Sequence, residues 1–188
     1  MAAVAVLLSV ASVAYLVGRG NTPTPTVASM GNAGNAPATG TVRAPDISSM
    51  TPRQQFDRLY ERIMIAAQNQ AGDTVMLFAP MALSAYQQLD QIDADARYHA
   101  AMIHAIVGET APALAKADSI LLDQPGHLFA FVIRGEVAEQ LNDGDQLAKA
   151  YSDFLAAYDA EIGANRKEYL EHRPVLDDFR NRAMANRR

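Results

Sequence analysis

The chain has 188 residues, 16 basic and 21 acidic, for a formal net charge of -5, and it contains neither Cys nor Trp. Without Cys there is no disulfide scaffold, thiolate metal site, iron–sulfur cluster, c-type haem attachment or thiol nucleophile. The acidic balance argues against sequence-independent nucleic-acid binding, which draws its affinity from Lys and Arg neutralising phosphates.

The first element is apolar. Ala2 to Val17 is a run of sixteen residues without a charge, closed by Gly18 and Arg19. As a helix it would be about 24 Å long, against a hydrocarbon core of about 30 Å, so it spans by local thinning and by outward snorkelling of Arg19. Tyr15 fits an interfacial anchor. A cleaved signal peptide would begin with basic residues, and none precedes Arg19. A buried core helix would normally carry a polar stripe. The favoured reading is a single transmembrane anchor over 1–19, with signal peptide and core helix as the alternatives. The span's flanking charges barely fix its orientation. The uncharged stretch from Asn21 to Val42 poses little obstacle to export, so the folded part is expected on the extracytoplasmic side.

Residues 20–50 are rich in Pro, Thr, Gly, Asn and Ala and contain no aromatic residue. Such a linker buries too little apolar surface to offset the entropy of ordering. As a flexible coil it spans about 30 Å. It serves as a spacer or as an extended strap on a partner.

From Thr51 onward the pattern is helical. Thr51 and Pro52 are an N-cap and a proline at the first helical position, and Phe56, Leu59, Tyr60, Ile63 and Ala67 recur at amphipathic spacing. Val75 to Leu89 forms a second helix, with Pro80 as a kink or late start. Ala94 to Val107 is the third, ended by Gly108. The fourth runs from Thr110, its N-cap, to Leu122. Leu128 to Leu141 is the fifth, Gln146 to Ile162 the sixth, and Asn165 to Ala185 a capping helix interrupted near Pro174. No segment shows a strand pattern, so the fold class is all-α.

Gly72-Asp73, Gly108-Glu109 and Gly144-Asp145 are turn pairs 36 residues apart, each between two amphipathic helices. A fixed period of this size signals a solenoid of helical hairpins. The second unit resembles the tetratricopeptide repeat family. With Gly108 as that family's turn glycine, Ala101, Ala113 and Ala117 fall on its small positions and Pro125 on its closing proline. The third unit matches at Gly135 and in the run AKAYSDFLAAY. The first unit carries Leu77 at a small position and lacks the closing proline, and Arg97 stands where the second unit should have a bulky residue. The resemblance covers residues 51–162, with residues 163–188 as capping helix and basic tail. A generic helical bundle is the competing architecture.

The resemblance implies that the first helices of successive pairs line a concave, partner-binding groove. By position, the second unit presents Asp95, Tyr98, Met102, Ala105 and Ile106, and the third Phe129, Val132, Glu136, Glu139 and Gln140. The 36-residue period adds Leu59, Arg62, Ala66, Asn69 and Gln70 from the first unit. Glu136 and Glu139 disfavour an acidic C-terminus as ligand and favour an apolar or basic segment. For Met102, Ile106 and Val132, ordinary packing between repeats is an equal reading.

Residues 73–161 hold fourteen acids and four bases, whereas 162–188 hold four acids and seven bases. The tail arginines Arg180, Arg182, Arg187 and Arg188 suit anionic lipid or an acidic partner, or a solvated helix end.

Motifs for chemistry are absent. His99 and His104 are five residues apart, about 140° around a helix, unlike the pair of a zinc helix. Asn142 to Asp145 lacks the alternating oxygen ligands of a calcium loop. There is no phosphate loop or dinucleotide fingerprint. No metal, cofactor, nucleic acid, small-molecule substrate or enzymatic activity is expected. The expected role is that of a membrane-anchored accessory or scaffold subunit docking onto a larger complex. The alternatives are a transient assembly factor or chaperone, and a structural subunit of an energy-transducing complex.

Overall fold

The computed structural model describes residues 50–186. The anchor expected at 1–19, all of the linker but Met50, and Arg187 and Arg188 lie outside the described residues. Among those described there is no strand, and no helix is long and apolar enough to cross a membrane.

Among the described residues eight helices follow one another: α1 (Pro52–Gln68), α2 (Gly72–Gln87), α3 (Ala94–Ile106), α4 (Thr110–Asp123), α5 (Leu128–Gln140), α6 (Gly144–Gly163), α7 (Lys167–Glu171) and α8 (Arg173–Asn186). The helices α1 and α2, α3 and α4, and α5 and α6 pack as hairpins, and successive hairpins stack through α3 and α5. This is a helical solenoid. The tail does not stay apart from it, because α8 packs on α6 and α5 much as α5 packs on α4 and α3.

Local chemistry sets the boundaries. Thr51 and Gln54 form a reciprocal capping box ahead of Pro52. Asp93 caps α3 by accepting from the Ala96 N–H at 2.7 Å, and Asp143 caps α6 by accepting from Gln146. Thr110 is not a cap: Glu109 precedes α4 and makes no side-chain cap bond. Nor does Pro80 start or break α2, which runs through it from Gly72. Pro80 is exposed, as is Met76, whose carbonyl it deprives of a helical partner, so that carbonyl lies on a solvent-facing side of the helix.

The period also differs from the one read off the glycines. Each hairpin turn closes with one residue in the left-handed region, and these residues are Gln70, Gly108 and Asn142. The next amide then donates back across the helix end: Ala71 to Ala66, Glu109 to His104, and Asp143 to Ala138. Gly72 and Gly144 are instead the first residues of α2 and α6. From the second hairpin to the third the step is 34 residues, as Ala94 to Leu128 and Thr110 to Gly144 show. Between the first and second turns it is 38, from Gln70 to Gly108. An even spacing of 36 arose because Gly108 plays a different part from the other two.

Two apolar clusters meet across α3. Ala96, Ala100 and Ile103 face α1 and α2, while Ala94, Tyr98, Ala101 and Ala105 face α4 and α5. Alanines on both faces let neighbouring helices approach closely from each side. Helix α5 is buried nearly all round, from Leu128 to Ala138, as expected of a central helix.

Candidate functional site

Of the residues expected on the concave face, Asp95, Tyr98 and Met102 belong to α3, and Val132, Glu136 and Glu139 to α5. In this chain the face is largely covered. Tyr98 is 2% exposed and Val132 1%, both inside the core shared with α8. The Tyr98 ring stacks on Phe129 at 4.4 Å between centroids. Met102 is half-buried between the two clusters. Arg62 lies apart from the others, its guanidinium 4.3 Å from the centre of the Phe78 ring in α2. The 38-residue step accounts for this: it carries Tyr98 and Asp95 back to Tyr60 and Asp57, not to Arg62.

The acidic and basic segments of the sequence answer each other within the molecule. Arg182 on α8 donates to Glu136 at 2.5 Å and to Glu139 at 2.6 Å, and its Nε donates to Asp178 at 3.1 Å. Burial raises the Glu136 carboxyl above its usual range, although the Arg182 charge pulls the other way. Tyr151 donates to Glu139 at 3.0 Å and is pushed up to about 12, by burial first and then by that carboxylate. Arg180 lies over the Tyr158 ring at 4.4 Å. Of the four tail arginines, the two described are thus held by their own chain.

A polar cluster lies where α1, α3 and the α7–α8 junction meet. Arg53 on α1 reaches Asp57 at 2.9 Å, Asp93 at 2.9 Å and Asp95 at 2.5 Å. Asp95 sends its other oxygen, Oδ1, toward two imidazoles, 2.9 Å from His172 Nε2 and 3.5 Å from His99 Nε2. Those two nitrogens are 3.1 Å apart. On the far side of its ring, His99 Nδ1 is buried without a hydrogen bond, 3.4 Å from Asp57 Oδ1. The ring itself is sandwiched, stacked on Tyr60 at 3.8 Å and edge-on to His172 at 5.1 Å. Burial alone would raise the Asp95 carboxyl. The His172 hydrogen bond and the Arg53 charge act against it, and the group is held below its usual range.

A cavity of about 140 Å³ opens beside this cluster, lined by Arg53, Asp93, Asp95, Gln124, Glu168 and Glu171 among others. Three potential ligand groups, Asp95, His99 and His172, lie within 4.8 Å of one another. Of these the sequence placed only Asp95 on the functional face. Comparing histidines with each other missed the carboxylate–imidazole pair Asp95 and His99, four apart on one helix face. Nothing in the local sequence could bring in His172, which is 73 residues from His99.

A second surface is the outer groove between α1 and α2. It encloses about 420 Å³ and is lined by Gln55, Leu59, Pro80, Met81, Ser84, Ala85 and Gln88. Ile65, Met76, Leu77 and Met81 are large apolar side chains exposed on these same two helices. Of the residues lining this groove, the sequence placed only Leu59 in the functional face. Neither a family model, nor a curated protein, nor a solved structure matches this chain.

Proposed function

We propose that this chain is a non-catalytic, membrane-tethered helical-repeat adaptor that docks onto a larger membrane complex through the open α1–α2 end of its solenoid. The observation that carries the reading is an asymmetry of the ends. A solenoid needs its terminal units closed by polar caps. At the C-terminal end α8 provides closure. At the other end α1 and α2 have no further helix over them among the described residues, and Met76, Leu77 and Met81 are 64%, 59% and 41% exposed.

The occupant is an apolar segment of a partner subunit. No charged residue lines the α1–α2 groove, so neither an acidic nor a basic tail finds a counter-charge there. Its volume falls within the size range of binding pockets. The linker preceding Met50 enters at α1, the helix that forms one wall. A tether of 31 residues behind a membrane anchor would keep this end near the bilayer and turn a weak contact into an intramolecular one. The uncharged stretch from Asn21 to Val42 favours placement on the extracytoplasmic side.

Detergent extraction followed by copurification and mass spectrometry tests the proposal. A permanent adaptor comes away with stoichiometric partners, and replacing Met76 and Met81 together by Asp abolishes their retention while the helical signal is kept. A monodisperse, partner-free protein overturns it. Substoichiometric, varied partners would favour a transient chaperone instead.

A further inference from the structure

We infer that Asp95, His99 and His172 form a binding site for one divalent transition-metal ion of the zinc type, and that the ion staples the C-terminal segment to the solenoid. The three donor atoms, Asp95 Oδ1, His99 Nε2 and His172 Nε2, form a triangle with sides of 2.9, 3.1 and 3.5 Å. Zinc takes nitrogen and carboxylate oxygen at about 2.0–2.2 Å, and an ion about 2.1 Å from all three atoms would sit about 1 Å above their plane. The three donor–donor distances are compatible with one ion bound to all three.

Hydrogen bonding alone accounts poorly for the arrangement. Each neutral imidazole carries one proton. If His172 Nε2 donates to Asp95, His99 Nε2 must present a bare lone pair to the same point. A proton on both nitrogens, 3.1 Å apart, would make both N–H groups compete for the one Asp95 oxygen, and the His99 nitrogen is 3.5 Å from it. A cation between the three atoms satisfies all of them. The outer face of His99 points the same way. With Nε2 given to a metal, the proton resides on Nδ1, which is buried, unpartnered and 3.4 Å from Asp57 Oδ1. The His99 side chain is 9% exposed, so that proton has little access to water. A carboxylate behind a ligating imidazole is the usual support for a metal-bound histidine.

Charge agrees with geometry. Arg53 supplies one positive charge to Asp57, Asp93 and Asp95, which leaves the group at -2 with both imidazoles neutral. One divalent cation brings it to zero. Arg53 binds Asp95 through Oδ2 and leaves Oδ1 free for the ion. Two imidazoles select zinc, nickel, copper or iron over magnesium and calcium, which prefer oxygen. The cavity of about 140 Å³ is lined by Asp95 among the three donors. Asp95 and His99 belong to α3 and His172 to the α7–α8 junction, so the ion ties the capping segment down across more than seventy residues of sequence.

The full chain in detergent, stripped with a chelator, is titrated with Zn²⁺ by calorimetry and with Co²⁺ by its visible ligand-field absorption. The expected result is one ion per chain, a raised thermal midpoint on Zn²⁺ addition, and increased amide-exchange protection across residues 167–176. Mg²⁺ should have no such effect. His172→Ala and Asp95→Asn should each weaken binding by at least about tenfold, whereas His104→Ala, which removes a histidine paired with Glu109 elsewhere, should not. Should His172→Ala fail to fold, the exchange protection of the unmutated chain still reports the staple. Absence of Zn²⁺ binding, binding undiminished in Asp95→Asn, or no protection at 167–176 overturns the inference.

Discussion

Phe179 of α8 lies against the backbone of Gly135 in α5 so closely that a Cβ on Gly135 would stand 2.5 Å from two carbons of the ring. The ring is fully buried and also meets Tyr151 and Phe154 edge-on, at 5.0 and 4.9 Å. It therefore has nowhere to retreat. A glycine in mid-helix is tolerated at this position because it admits the capping helix.

Gly135→Ala should destabilise the domain by roughly 1–3 kcal/mol through overpacking, despite the better helix propensity of alanine. Gly144→Ala, with nothing within 4 Å of its new methyl group, should be neutral or stabilising by less than about 1 kcal/mol. Urea unfolding of the two variants checks the contrast. Equal effects would mean that α8 does not press on α5.

Arg182→Met should cost about 2 kcal/mol, between the values for exposed and fully buried pairs, because it leaves Glu136 and Glu139 facing each other. The Glu136 pKa already lies above its usual range, and loss of the cation raises it further. A raised carboxylate pKa favours the folded state at low pH and disfavours it once the group must ionise. The loss should therefore be larger at pH 7 than at pH 4, and adding Glu136→Gln should recover part of it. Chemical denaturation at the two pH values measures this.

Tyr169 joins two segments through one oxygen, accepting from the Leu128 N–H at 2.9 Å and donating to Glu161 at 2.6 Å. Burial and the Glu161 hydrogen bond raise its pKa well above the usual value, so it stays a donor. Tyr169→Phe leaves a buried N–H at the start of α5 without a partner and should cost roughly 1–3 kcal/mol. Thermal unfolding is the readout, and amide exchange at Leu128 should accelerate.

His127 is fully buried at the start of α5, where Nδ1 accepts from the Phe129 N–H and Nε2 faces Glu168 at 3.3 Å. Burial depresses its pKa below 6.5, against the opposing pull of Glu168. The unfolded chain then binds a proton that the folded chain resists. Its contribution to stability is whole above pH 6.5 and is lost as pH falls through the lower folded-state value. Stability should fall between pH 7 and pH 5, and His127→Asn, which keeps a capping acceptor, should flatten that slope. A slope unchanged in the variant would assign the titration to another group.

The helices, their order and most of their ends are written locally. Thr51 and Pro52 start α1, and the apolar spacing from Phe56 to Ile63 fixes its buried side. The 34-residue step of the small positions Ala101 and Gly135 coincides with the step between hairpins two and three. The turns were less legible. The left-handed position needs only one residue that tolerates it, and Gln70 and Asn142 serve where glycine seemed to mark the place.

Sequence by itself determined an all-α pattern with an apolar N-terminal run, an uncharged stretch from Asn21 to Val42, paired amphipathic helices, an acidic middle and a basic tail. Those are properties of composition and of 3.6-residue periodicity, which act over a few turns. Only the tertiary structure decided that the tail folds back, that Arg182 answers Glu136 and Glu139, and that His172 reaches Asp95 and His99. Such contacts join residues 43 to 77 positions apart. Their registry depends on which apolar faces stack, Phe179 upon Gly135 among them, and no local pattern encodes that choice.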